Sequence, residues 1–485
     1  MQQNNYKELS IIPDLKLNIK KIKEISGGSS DVLINEFVTG NIHCALICCE
    51  GMLSTSTITE LILKPITKID TQKDAHSLFN YIHKFMLLST DRPVATEYDS
   101  FFRLINSGFA VLIADGINKA LAFGVQGYAV RSISEPSGES NIMGSHEGFV
   151  ETIRTNMSLI RRRLKSPELV MQLFTKGDKS RTDLCLCYMK DRVPPELLKR
   201  IHKSLDNIKL ESIFSTGYVK PFVENNNFEI FSSTGTTERP DVLCSKLIEG
   251  RVALLVDGVP FSIVIPKLFC ENFQTLDDYA FKPYYSTFIR WIKYFAFLIS
   301  ILLPAIYTAI VIYHPELLNS TLLMLLVEAE QKAPLSILTE TIFVLLMYEI
   351  IREAGIRLPK PVGGAVSIVS GLIIGDSAVD SGLISTPLLT ITALAIISGF
   401  VVPSLNDSIT ILRFSFLIAG GIFGLFGISI LACAILVNIC STEDYGFPYT
   451  APISPFKLSG MDDTAIRATI PKMQSRNFTV EEYHE

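Results

Sequence analysis

Tyr348-Glu349-Ile350-Ile351-Arg352-Glu353-Ala354-Gly355-Ile356-Arg357-Leu358-Pro359 closes an apolar segment that begins at Leu335, and the chain then runs straight into a second, glycine-spaced apolar stretch from Pro361 to Val379. A charged turn held between two segments of membrane length is not the sequence of a simple anchor. Ser336, Thr339, Glu340, Thr341 and Glu349 interrupt the first segment. An ionisable group at bilayer depth is costly unless it is paired or wetted, so it marks a pathway more often than a lipid contact. In the second segment Gly363, Ser367, Gly371 and Gly375 recur every fourth residue, on one helical stripe where a neighbouring backbone can approach closely. Asp376 and Asp380 fall one turn apart at its end, and several chains around an axis would turn them into rings of carboxylate. Two readings stand together here: an ion pathway, or a packing stripe whose terminal aspartates sit in water.

Outward from this pair, composition divides the chain. The 485 residues are 48% hydrophobic, with a mean hydropathy of +0.32, which is high for a soluble protein. The excess lies between Tyr294 and Cys440; the sequence is mixed and charged up to about Lys282 and polar again after Ser441. The expected organisation is a flexible segment over 1–30, a cytosolic α/β region over 31–281 with subdomains at about 31–165 and 166–281, a transmembrane helical domain over 282–440, and a polar tail over 441–485. A net charge of -5 and a pI of about 5.9 argue against nucleic acid as a partner. The nine cysteines form no C-x-x-C framework, which points to a reducing compartment. Cys44, Cys48 and Cys49 lie near His43, but no second ligand pair follows at zinc spacing, so no metal site is expected. Met1 to Ile25 is polar and lysine-bearing, unlike a signal peptide, so internal spans are expected to direct membrane insertion.

In the first part, Ser26-Gly27-Gly28-Ser29-Ser30 reads as a flexible join, and Ser30-Asp31 as a capping pair where folding begins. Ala45 to Cys49 and Phe109 to Ala114 read as strands, the second ending in the turn Asp115-Gly116, with Lys119 to Val130 as its partner. Helical patterns between them predict an α/β unit. Phe149, Ile153, Met157, Ile160 and Leu164 then form an apolar stripe beside Arg154, Arg161, Arg162 and Arg163. That basic face is either solvated and acid-paired, or docks on anionic headgroups or a neighbouring subunit. A second α/β unit follows: strand Asp183 to Met189, helix Pro194 to Asn207, and strand Val252 to Val256 closed by Asp257-Gly258. Phosphate-loop, nucleophile-elbow and zincin patterns are absent, so neither a catalytic site nor a cofactor is expected.

Lys282, Tyr284, Tyr285, Arg290, Trp291, Lys293 and Tyr294 form a basic, aromatic collar that places the first part on the cytosolic side. Phe295 to Tyr313 is a span with Pro304 inside it. His314 to Lys332 carries Glu316, Glu328 and Glu330 and fits the outer side; Leu317 to Val327 is too short to cross and reads as interfacial or re-entrant. Leu383 to Val402 is a further span, and Ile409 to Cys440 exceeds one crossing and holds Gly420-Gly421, Gly424 and Gly427. Five full spans would leave the tail outside, yet Lys457, Arg467, Lys472 and Arg476 favour the inside. Four complete crossings and one incomplete or broken segment are therefore expected. Glu340 and Glu349, nine residues apart, lie about 900° apart at about 100° per residue and so on opposite helix faces; Glu340 is the expected lining group and Glu349 a structural one beside Arg352 or Arg357.

Three motifs together make the chain resemble the A subunit of the GerA family of spore germination receptors. They are Arg131-Ser132-Ile133-Ser134-Glu135-Pro136, running through Gly148-Phe149-Val150-Glu151 to Asn156-Met157-Ser158-Leu159-Ile160-Arg161-Arg162-Arg163; Glu249-Gly250-Arg251 through Asp257-Gly258-Val259-Pro260-Phe261; and Arg352-Glu353-Ala354-Gly355-Ile356-Arg357-Leu358-Pro359 with Ala365-Val366-Ser367-Ile368-Val369. The resemblance covers roughly residues 30 to 460. It implies a nutrient-responsive receptor subunit in the inner membrane of a bacterial spore, with its N-terminal region cytosolic. It also implies assembly with copies of itself, as a pentamer, into a channel that releases monovalent cations when germinant binds. The implied partners are a transporter-like B subunit and a lipoprotein C subunit. In this reading Glu340, Asp376, Asp380, Glu328 and Glu330 line the pore, Gly363, Ser367, Gly371 and Gly375 pack the helices, and Glu349, Arg352, Glu353 and Arg357 form the inner turn. Glu135, Pro136, Phe149, Glu151, Asn156, Arg161, Arg162 and Arg163 make up the cytosolic motif. The chain departs from the family pattern at Met143 and His146, where relatives often carry arginine, at Leu345, where they often carry glutamate, and at Asp376, often glutamine. The alternatives are an accessory sporulation ion channel of the same family and a non-conducting scaffold for a transporter-like partner.

Overall fold

A computed structural model describes residues 6–69, 74–84, 86, 89, 91–127, 136, 139, 143–224, 229–358, 371 and 377–473. As the sequence predicts, two α/β units precede a helical region.

The first unit runs α1 (Leu15–Ile25), β1 (Val32–Thr39), β2 (Ile42–Cys49), α2 (Ala75–Lys84), β3 (Val94–Ala95), α3 (Tyr98–Ile105), β4 (Phe109–Ala114) and β5 (Ala120–Gly124). Its strands are antiparallel in the order β1-β2-β4-β5-β3. β4 (Phe-Ala-Val-Leu-Ile-Ala) is buried along its whole length, as a central strand covered on both faces must be, whereas edge strand β1 is only partly buried. The second unit repeats the plan: α4 (Ile153–Arg163), β6 (Leu169–Lys176), β7 (Thr182–Met189), α5 (Pro195–Asp206), α6 (Thr216–Val223), β8 (Gly235–Thr237), α7 (Pro240–Ile248), β9 (Val252–Val256) and β10 (Ser262–Ile265), in the antiparallel order β6-β7-β9-β10-β8. Alternation splits β7 between two cores: Leu184, Leu186 and Tyr188 face one side, and Cys185, Cys187 and Met189 the other.

The two units match in detail. Asp115, just after β4, accepts the amide of Leu15 at 3.0 Å; Asp257, just after β9, accepts that of Ile153 at 3.0 Å. In each case the aspartate caps the first residue of the unit's leading helix. The glycine that follows donates its amide backwards, Gly116 to Pro13 O and Gly258 to Glu151 O, both at 2.8 Å. Asn18 and Asn156, three residues into those helices, each clamp the incoming strand of chain from both sides, on Ile12 and Val150 respectively. The duplication lies in the topology and in these capping groups; sequence periodicity alone does not display it.

Composition placed residues 1–30 in a flexible segment, but the structure folds most of it. Leu15, Ile19 and Ile22 recur on one face of α1 and are buried in the first core, and Asp14 caps the helix. Ser30-Asp31 does not cap a helix; it leads into strand β1, and the Asp31 side chain is buried.

The helical region comprises α8 (Pro283–Tyr313), α9 (Ser320–Lys332), α10 (Ile337–Arg357), α11 (Thr386–Gly399) and α12 (Asn406–Ser441). By length and composition α8 and the run Pro403–Ser441 can each cross a membrane, and α9 with α10, bent by 73°, makes a third candidate. α11 has 14 residues, about 21 Å of helix and short of a hydrocarbon core of about 30 Å. α12 is not one straight rod. Gly424 has φ 64° and ψ -153°, a conformation almost confined to glycine, and a side chain on Gly427 would collide with the Ala419 carbonyl. Eight residues of straight helix rise about 12 Å, so such proximity requires the chain to turn back at Gly424. Both ends of this hairpin return to the second sheet unit: Ser408 Oγ donates to Ile230 O at 2.6 Å, and Tyr449, beyond the far end, packs its ring on Phe269.

The tail follows. Strands β11 (Glu443–Asp444) and β12 (Phe447–Pro448) form a hairpin whose Tyr445 and Phe447 enter the core of the second unit. Further on, Asp463 accepts from Arg290 Nη1 at 2.9 Å, and Ala465 O accepts from Trp291 Nε1 at 2.9 Å. The tail therefore sits at the end of the bundle that carries the sheet units, which removes the difficulty that a five-span count created. Arg290 and Lys293, read as part of an interfacial collar, are buried with Asp278 instead.

Candidate functional site

Glu340 lies in the first turn of α10 and is fully buried. One carboxylate oxygen accepts the amide of Ser385, the residue that caps α11. The charge thus sits near the positive ends of two helices, which lowers the cost of burying it. Its other oxygen, Oε2, has no hydrogen-bond partner among the described residues. The same holds for Glu330 Oε1 from α9, Tyr307 Oη from α8 and Ser385 Oγ. Tyr307, Glu330 and Glu340 are close enough to act on one another electrostatically. One residue further along, Thr308 and Thr341 meet at 3.3 Å between hydroxyls. Four elements thus converge on a nest of oxygens at the end of the bundle away from the sheets. Carboxylate oxygens left without partners at such a depth are costly unless water or a cation meets them.

At the other end of α10, Glu349 meets Arg352 at 2.8 Å and accepts from Thr410 at 3.3 Å, with Arg413 at 4.0 Å. Arg352 also donates to Asn406 at 3.1 Å, so these side chains tie α10 to the start of α12. Arg413 Nε donates to Ser300 O at 2.8 Å. Pro304 has no amide to give that carbonyl four residues earlier, and the arginine supplies the missing donor. Glu353 and Arg357 pair with each other on the exposed side.

The remaining expected lining groups lie apart. Glu328 pairs with Lys332 at 3.3 Å on the surface, and Asp380 is exposed. Gly371 has open space where a side chain would be. Asp376, Gly363, Ser367, Gly375 and Glu135 lie outside the described residues.

In the cytosolic motif, Pro136 and Phe149 are buried and Glu151 is exposed. Asn156 is the clamp of α4. The arginines are paired with acids of this chain. Arg161 grips Asp31 through Nε at 2.7 Å and Nη2 at 2.9 Å and also donates to Ser166 O and Leu169 O. Arg162 and Arg163 share Glu147, and Arg154 pairs with Glu50. Two of these pairs, Arg161 with Asp31 and Arg154 with Glu50, join the second unit to the first.

Sequence reasoning singled out Glu330 and Glu340 but missed Tyr307, Ser385 and Arg413. A lone phenol and a lone arginine inside otherwise apolar runs, and the cap-and-proline start Ser385-Thr386-Pro387, were the available signals.

The profile of the family described as Bacillus/Clostridium GerA spore germination protein matches residues 20–479. The chain is similar to spore germination protein KA of Bacillus subtilis, with 34% identity over 96% of this chain and 86% of that protein. It is similar to spore germination protein GerLA of Bacillus cereus, with 32% identity over 90% of this chain and 89% of that one. Among solved structures, the N-terminal domain of the A subunit of the Bacillus megaterium germinant receptor GerK3 aligns at 30% identity and a TM-score of 0.43, over 54% of this chain and 97% of that one.

Proposed function

The chain belongs to the GerA family of spore germination receptor A subunits, and from that premise we propose that copies of it assemble around an axis, as a pentamer, into a channel that releases monovalent cations when a nutrient germinant binds. The setting is the inner membrane of the spore, with the sheet units and tail on the cytosolic side. A transporter-like B subunit and a lipoprotein C subunit complete the receptor. The family is not a known class of enzymes.

One observation carries the reading: the buried carboxylate of Glu340 and the half-buried one of Glu330 each keep a shielded oxygen without a hydrogen-bond partner among the described residues, beside the equally unpartnered hydroxyls of Tyr307 and Ser385. Hard oxygen donors without partners are what a partly dehydrated monovalent cation needs, and the two charges favour cations over anions. Glu349, held by Arg352, serves the helix packing instead. Exposed Glu328 and Asp380 stand where an outer mouth would attract cations, and the stripe that includes Gly371 supplies the face between copies.

The test is cation flux from liposomes carrying the purified protein. Wild type is expected to conduct, and Glu340→Gln and Glu330→Gln to lower the flux at least tenfold, about 1.4 kcal/mol in a barrier. No flux from wild type would favour the scaffold reading; undiminished flux in both variants would remove the cluster from the pathway.

A further inference from the structure

A cavity of about 760 Å³ lies where the three parts of the molecule meet. Its walls come from the second sheet unit (Gly235, Lys246, Lys267), the bundle (Lys293, Ser404) and the tail (Asp463). The volume falls within the range of about 300–1,000 Å³ typical of small-molecule sites.

Most cations around it are already matched. Lys246 and Arg251 both bind Glu271, at 3.0 and 2.6 Å; Arg239 binds Asp241 at 2.7 Å; Lys293 faces Thr275 at 3.0 Å and Asp278 at 3.5 Å. Lys267 differs. Among the described residues its ammonium makes no hydrogen bond or ion pair, although the carboxylates of Glu271 and Glu139, in the same wall, are near enough to act on it electrostatically. Burial pushes its pKa down to about 8, so it is still mainly charged at neutral pH. Lys267 is half-buried, and the two acids near it are committed elsewhere, Glu271 to Lys246 and Arg251 and Glu139 to the Thr237 hydroxyl, so an anion entering the cavity would give its charge a direct partner. Apolar groups, Val264, Leu268, Leu276 and Val401, share the same walls.

We propose that this cavity binds a small organic anion, with its carboxylate or phosphate head on Lys267 and an apolar body against Leu268 and Val401. Because sheet, bundle and tail each supply a wall, the occupant ties the soluble region to the helices. The proposal does not depend on ion conduction.

The molecule carries its own reporter. Trp291 is the single tryptophan of the chain, and its indole is bonded to Ala465 O, two residues from Asp463 in the cavity wall. Phenyl phosphate and benzoate titrated into the full-length protein in neutral detergent, with benzyl alcohol as uncharged control, should change its emission saturably for the anions alone. Affinity should fall as pH rises through 8, when Lys267 loses its proton. Lys267→Met should weaken anion binding at least about tenfold, the worth of one charge-assisted hydrogen bond, and Lys267→Arg should restore most of it. If Lys267→Met fails to fold, the pH titration of wild type and the Lys267→Arg protein still decide. No saturable response to either anion, equal affinity in Lys267→Met, or binding indifferent to pH across 8 would each overturn the proposal.

Discussion

Asp31→Asn, made in the full chain, tests what holds the two sheet units together. Asp31 and Arg161 have side chains 2% and 1% exposed, and the guanidinium makes two bonds to the carboxylate and two more to backbone carbonyls. Neutralising the aspartate leaves a buried cation without its counter-charge, which costs about 3–5 kcal/mol. The loss should appear at the joint. Ser30 N donates to Met171 O at 2.8 Å, and Met171 N donates to Ser29 Oγ at 2.9 Å, so hydrogen exchange at these two amides reports its opening. At about 1.4 kcal/mol per factor of ten, exchange there should accelerate by about 100- to 4,000-fold. Replacing the whole pair, Asp31→Leu with Arg161→Met, removes the stranded charge and should recover most of the loss, leaving about 1–2 kcal/mol for the carbonyls of Ser166 and Leu169 that lose their donor. Exchange within tenfold of wild type in the single variant, or a double variant no better than the single, would refute the reasoning.

Asp444, 2% exposed in the tail hairpin, has a carboxyl pushed up to about 7, chiefly by burial. Ser233 lies nearby, but neither carboxylate oxygen finds hydrogen-bonding geometry among the described residues. The folded state holds this proton more tightly than the unfolded one, so hairpin docking should weaken as pH rises from 3.8 to about 7 and then level off. Asp444→Asn should flatten that profile, read by proteolysis of residues 443–449. Gly424→Ala forces a side chain into φ 64° with its Cβ 3.3 Å from the Tyr313 ring and should cost about 1–3 kcal/mol, seen as a lower melting temperature in detergent. Asn18→Leu and Asn156→Leu each strand one backbone donor and one acceptor, about 1–3 kcal/mol by thermal melting; Asn18→Leu should cost more, because Tyr98 also donates to Asn18 at 2.6 Å.

Several elements were legible because their signals are local. The run Val252 to Val256, Asp115-Gly116 and Asp257-Gly258, and the stripe of α4 declare strand, turn and helix within a dozen residues. The reading of 1–30 failed because the Gly-Ser join masked the amphipathic turns just before it. The acid pairing of Arg161 could be framed only as one of two readings, since its partner lies 130 residues away.

From the sequence by itself came the two α/β units, the helical region that follows them, and the family, through three long motifs. Those depend on side-chain type and short spacing, which the chain carries in order. Only the tertiary structure decided that the units are duplicates, that the last apolar run turns back at Gly424 and brings the tail to the sheets, and that Glu330 and Glu340 share one nest while Glu328 and Asp380 do not. Strand order, the reversal of a helix and the meeting of distant carboxylates follow from which surfaces bury one another, and residues far apart in the chain settle that only when it folds.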